Sequence, residues 1–130
     1  MQDLLSFLGL RIVTRRVRRK RSVKKISTAQ REQARAIVHA RLAHFNAFYN
    51  FSYNKVFIKN QRTRWGSCSS NRNLNFNYRI INLAPELQDY LIVHELCHLQ
   101  EFNHGQAFWN LVGLQIPNYK VVRTQLKGID

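Results

Sequence analysis

The sequence predicts an α+β fold, helices packed on a small antiparallel sheet, from three patterns. Apolar residues recur at threes and fours along residues 34–49. Apolar and polar residues alternate along 74–79, and a second helical pattern begins at Pro85. The resulting order is helix, strands, helix, helix.

Each element has its own signal. Ser27 and Thr28 offer a helix N-cap. Ala34, Ile37, Val38, Leu42, Phe45, Phe48 and Tyr49 then mark one face of an N-terminal helix of roughly five turns. Val56, Phe57 and Ile58, between Lys55 and Lys59, predict a short strand. Residues 62–67 predict a second, closing at Gly66. Turn-forming residues 69–73 separate it from a third, in which Leu74, Phe76 and Tyr78 alternate with Asn75, Asn77 and Arg79. A brief extended piece, 80–83, leads into Pro85, which suits the first position of a helix whose dipole Glu86 and Asp89 complement. Leu87, Tyr90, Leu91, His94 and His98 are expected on one face of that helix. Two C-terminal helices follow. One spans 106–114 with Phe108, Trp109, Leu111 and Val112 and is ended by Pro117; a shorter one runs from Tyr119 to near Gly128.

A chain of 130 residues has room for one well-cored domain, and 45% hydrophobic with 12% aromatic residues excludes global disorder. Lys and Arg number 21 against 7 Asp and Glu, a net charge of +14. Much of it is concentrated in Arg11, Arg15, Arg16, Arg18, Arg19, Lys20, Arg21, Lys24 and Lys25, with no acid among them. Such a block favours nucleic acid, anionic lipid or acidic protein surfaces; a solvated, self-repelling arm is the competing reading. The chain therefore divides into a basic arm, residues 1–26, and a domain, residues 27–130. Cys68 and Cys97 form neither a disulfide framework nor a CxxC site, so a reducing compartment is expected. The apolar start (Leu4, Leu5, Phe7, Leu8, Leu10) precedes its positive charges, unlike a secretory signal, and no run approaches bilayer-spanning length. A cytoplasmic protein is the expectation.

Residues 94–98 read His-Glu-Leu-Cys-His. On a helix, i and i+4 are about 40° apart around the axis and about 6 Å along it, so His94 and His98 can reach one tetrahedral zinc ion. Glu95 lies on the same flank, where it can act as a general base without ligating the metal. A catalytic zinc needs a third protein ligand, and His104 is the candidate. In a continuous helix it would lie about 9 Å beyond His98 and off the ligand face. The chain must therefore leave the helix between Glu101 and His104 and fold back, and Asn103 and Gly105 suit such a stop. His39 and His44, on the first helix without a nearby carboxylate, read as surface or packing residues.

Three blocks carry a family resemblance: Thr63-Arg64-Trp65-Gly66-Ser67-Cys68-Ser69; Asn73-Leu74-Asn75-Phe76-Asn77; and Val93-His94-Glu95-Leu96-Cys97-His98-Leu99 with Asn103-His104 and Phe108-Trp109. Together they resemble the YgjP-like metallopeptidases, related to the SprT-like and WLM minimal zincins. The resemblance implies a minimal zincin-like fold and a zinc-dependent peptidase. In it His94, His98 and His104 match the ligands and Glu95 the catalytic glutamate. The third-histidine spacing equals that of metzincins, but Glu101 stands where that family places glycine, and the only methionine is Met1.

The expected chemistry is hydrolysis of a peptide bond in a protein or peptide substrate. An edge strand, 62–68 or 73–78, is expected to pair with extended substrate. Trp65 reads as a core anchor ahead of a substrate contact. Arg64 and Tyr119 are further substrate-binding candidates, Tyr119 as a donor to an oxyanion. SprT-like relatives as a group are linked to DNA-bound substrates. A rival reading follows, in which the basic arm docks on nucleic acid and the peptidase acts on proteins held there.

Overall fold

The computed structural model describes residues 25–129. The apolar start, nearly all of the basic block, and with them the nucleic-acid-docking expectation, lie outside the described residues. Among the described residues the first helix, α1, is Thr28–Tyr49. A capping box starts it: Ser27 Oγ accepts from the Gln30 N–H and Gln30 Oε1 from the Ser27 N–H, both at 3.0 Å. Ala34, Val38, Leu42, Phe45 and Tyr49 are its buried positions, spaced as the sequence predicts. Phe48 and Ile37, at the margins of that stripe, are exposed and half-buried. Asn50, in the left-handed region at φ 56°, ends the helix.

Three strands follow: β1, Val56–Lys59; β2, Gly66–Cys68; and β3, Leu74–Asn77. Their order is β1-β3-β2. β2 and β3 form the antiparallel hairpin that the 69–73 turn requires, but β1 pairs with β3 in parallel, Val56 facing Leu74 and Lys59 facing Asn77. The sheet is therefore mixed, a correction to the all-antiparallel expectation. The reason lies in the 60–65 connection, which crosses the C-terminal end of β3 to bring the chain from one edge of the sheet to the other. Asn77 pins it there. Its side-chain amide donates to the carbonyls of Gln61 and Arg64, and its N–H donates to the Trp65 carbonyl at 2.8 Å. Asn77 sits at a polar position of the alternating pattern, yet it is only 1% exposed.

Two further boundaries differ from expectation. Residues 62–65 are irregular, because Asn77 and the Arg79 guanidinium, donating to the Arg62 carbonyl at 3.0 Å, hold them as a loop. Residues 78–82 form a 3₁₀ turn, Tyr78–Asn82, rather than extended chain, because the Asn77 side chain also caps it by accepting from the Arg79 N–H.

Helix α2, Pro85–Cys97, starts at the proline as expected, and α3, Gln106–Gln115, and α4, Tyr119–Lys127, complete the domain. The sequence predicts one buried face for α2, but every residue from Tyr90 to Leu99 is buried. The helix is central, packed by α1, β2, α3 and α4 around it. Arg41 of α1 makes a two-pronged ion pair with Asp89 of α2 at 2.7 and 3.0 Å, fixing the rotation of α2 against α1. No helix of the described residues is long and apolar enough to cross a membrane.

Candidate metal centre and active site

α2 carries His94, Glu95 and His98 into the interior: Glu95 is 0% exposed and His98 4%. The helix stops earlier than the sequence implies. Regular α structure ends at Cys97, and His98 is already the capping residue. The reversal needs no left-handed residue at Asn103. Instead the last turn tightens, with the Leu99 N–H donating to the Leu96 carbonyl at 3.0 Å and the Gln100 N–H to Cys97 at 3.1 Å. The chain does fold back, and His104 arrives beside the other two rings.

The three Nε2 atoms converge. His98 Nε2 lies 3.1 Å from that of His94 and 2.9 Å from that of His104, and one ligand atom from each residue lies within 4.8 Å of the others. His98 Nδ1 is 3.0 Å from the Glu101 carbonyl, which can only accept. Nδ1 therefore carries the proton, and the Nε2 lone pair faces the other rings. Burial holds His94 well below the usual imidazole range, helped by His98, His104 and Arg123. It brings His98 down to about 4 and, with His98 and Arg123, His104 down to about 4. Three imidazoles with nitrogens aimed at one point could hold a metal ion.

Aromatic rings floor this centre. Phe108 stacks on His98 at 4.4 Å and meets His94 and His104 edge-on at 5.0 and 5.1 Å. Trp109 lies 6.4 Å from His104 and has Tyr119 stacked on it at 4.7 Å. Tyr119 is thus in contact with the centre's wall. Trp65 is in the core, 3% exposed, with the Arg79 guanidinium 4.7 Å over its ring. Arg64, half-buried, is the cation that opposes the effect of burial on Glu95, whose carboxyl is pushed well above the usual carboxylate range chiefly by burial. Neither Glu95 oxygen has a hydrogen-bond partner among the described residues. His39 and His44 are exposed on α1, away from the cluster. The buried thiols of Cys68 and Cys97 are each pushed up to about 12 by burial, so neither is a nucleophile at neutral pH.

Several residues near the centre escape a reading of the sequence. The charge of Arg123 reaches His94 and His104 from α4, its guanidinium 5.7 Å from the Trp109 ring. Arg72, left-handed at φ 64°, donates to the Ser52 carbonyl at 2.8 Å and to Leu99 at 3.2 Å. It therefore ties the β2–β3 turn to the helix exit. No local pattern signals either arginine. Gly66 abuts Glu95, and a glycine within a strand pattern is the one available cue for such an approach.

Comparisons with known proteins give the family and the fold. The family described as YgjP-like, metallopeptidase domain, matches residues 3–128, which takes in the whole of the basic block from Arg11 to Lys25 as well as nearly all of the domain. Among solved structures, the metallopeptidase zymogen abylysin of Pyrococcus abyssi is similar with a TM-score of 0.62 and 22% identity, over 68% of this chain and 90% of that one. The metallopeptidase zymogen jannalysin of Methanocaldococcus jannaschii is similar with a TM-score of 0.51 and 27% identity, over 71% and 94%. No curated protein matches the chain.

Proposed function

The chain belongs to the YgjP-like metallopeptidase family, and from that premise we propose a zinc-dependent peptidase in which Glu95 is the general base and His94, His98 and His104 hold the metal. The convergence of three Nε2 atoms, with His98 locked as a donor to Glu101, carries this reading. Nitrogen donors of this kind suit zinc. Held by them, zinc would supply Lewis acidity, polarising a scissile carbonyl and making water easier to deprotonate near neutral pH.

The chain's own residues supply the rest. Glu95 stands one position from His94, and among the described residues neither of its oxygens has a hydrogen-bond partner, so it is placed to take a proton from attacking water and pass it to the leaving amine. Burial pushes the Glu95 carboxyl well up, as suits a group that must hold the proton it accepts, and the field of Arg64 opposes that push and favours the ionised form. Substrate binding is assigned to β2. The Trp65 carbonyl and the Ser69 N–H bond inward to β3, so by alternation the backbone groups of Gly66 and Cys68, both buried residues, point away from β3 to the side where no strand of the described residues pairs. An extended peptide pairing there would lie beside Glu95. Arg64 borders that edge as a substrate contact, whereas Trp65 and Tyr119 contribute by packing. We take residues 27–130 as the peptidase domain and 1–26 as a preceding arm. The buried, protonated cysteines support a reducing, cytoplasmic setting.

Glu95→Gln tests the assignment. Zinc content should be unchanged while hydrolysis of a quenched fluorescent peptide library falls on the order of 10²–10⁴-fold. Full activity in that variant would refute it.

A further inference from the structure

Nothing in the backbone of β2 requires glycine at position 66. Its φ lies outside the left-handed region, so other residues fit the conformation. A side chain, however, would collide with specific atoms. A Cβ there would lie 3.0 Å from Glu95 Oε2, 3.3 Å from Glu95 Cγ and 3.0 Å from the Asn75 carbonyl oxygen. Two of these three neighbours belong to the residue assigned as the base. Glu95 has little room to retreat, because it is fully buried on a helix surrounded on all sides. Cys68, two residues along the same face of β2, carries its side chain and is buried, so the gap is confined to position 66.

We infer that Gly66 is a positioning residue for the reaction: its missing side chain lets the Glu95 carboxylate lie against the edge strand at a residue whose backbone groups point away from β3, on the side proposed for substrate pairing. This rests on the reading of Glu95 as the base. A base acts over hydrogen-bond distances of about 2.6–3.2 Å, and a displacement of about 1 Å costs on the order of 10²-fold in rate. A methyl group at position 66 makes the carboxylate give by a few tenths of an ångström, a shift expected to cost several-fold in rate. Binding of the metal, whose ligands point elsewhere, and of the substrate backbone are left intact.

The experiment is a double-mutant cycle on the zinc-loaded full chain with the peptide pool that the wild type cleaves. Gly66→Ala is expected to lower kcat several-fold with KM and zinc content unchanged. Added to Glu95→Gln, Gly66→Ala is expected to lower the residual kcat no further, because no base remains to be displaced. Native kcat in Gly66→Ala, or an equal loss in both backgrounds, would overturn the inference, the second result assigning the damage to the edge strand. If Gly66→Ala fails to fold, Gly66→Ala/Glu95→Asp removes a methylene opposite the new methyl. Recovery of folding and zinc uptake would support the contact with residue 95, and continued failure would assign the clash to Asn75 and overturn it. An active Glu95→Gln would remove the base assignment and this inference with it. An inactive Glu95→Gln beside a fully active Gly66→Ala would remove this inference alone.

Discussion

The two halves of the proposed metal centre are built differently. His94 and His98 ride on a helix whose residues from Tyr90 to Leu99 are all buried, so their rings are placed by packing before any ion arrives. His104 arrives on an outer loop in which Gln100, Asn103 and Gly105 are exposed and Phe102 is 40% exposed. That loop is held by a few polar tethers: His98 Nδ1 to the Glu101 carbonyl, the Glu101 N–H to Cys97 at 2.9 Å, and Arg72 to Leu99. Two ligands are therefore pre-organised, and the third depends on tethers that the helix does not need. His98 belongs to both halves.

That contrast can be tested from its largest consequence down. His98→Ala should abolish zinc binding, because it removes the nitrogen nearest both partners and the loop's anchor. His104→Ala should leave weaker but measurable binding by the helix pair. Equal affinities in a zinc titration would break the distinction. Chelation should next accelerate hydrogen exchange in residues 99–105 far more than in 90–97, read by mass spectrometry. Uniform acceleration would show that the helix half also depends on the ion. Arg72→Met should weaken zinc about 10- to 100-fold by releasing the Leu99 carbonyl, with titration as the measure. At the small end, Ser27→Ala should cost about 1 kcal/mol of stability through loss of the capping box on α1, with zinc affinity unchanged. A shift in metal affinity there would couple the centre to a helix end that the structure keeps apart from it.

Much of this was legible in the sequence because it is local. The α1 stripe, the proline start of α2, the i, i+4 histidines and the need for a return to His104 all follow from helical periodicity and reach. What was not legible depends on contacts between distant segments. Periodicity shows which residues of a strand are apolar, not which strand lies beside it, so the parallel β1–β3 pair was out of reach. Asn77 looked solvent-facing because its neighbours alternate, but its burial is repaid by two carbonyls of a loop that it cannot name in advance. Gly66 and Arg72 likewise have meaning only against Glu95 and Leu99.

The strand order also sets the timing of synthesis against that of assembly. β1 leaves the ribosome ahead of β2 and β3, yet its sheet partner is β3, the last of the three to be made. The β2–β3 hairpin can zip on a timescale of about 1–10 μs. β1 must wait for that hairpin and for the crossover to close over its end. Throughout that interval the nascent chain carries an unpaired strand, a template for pairing with other chains.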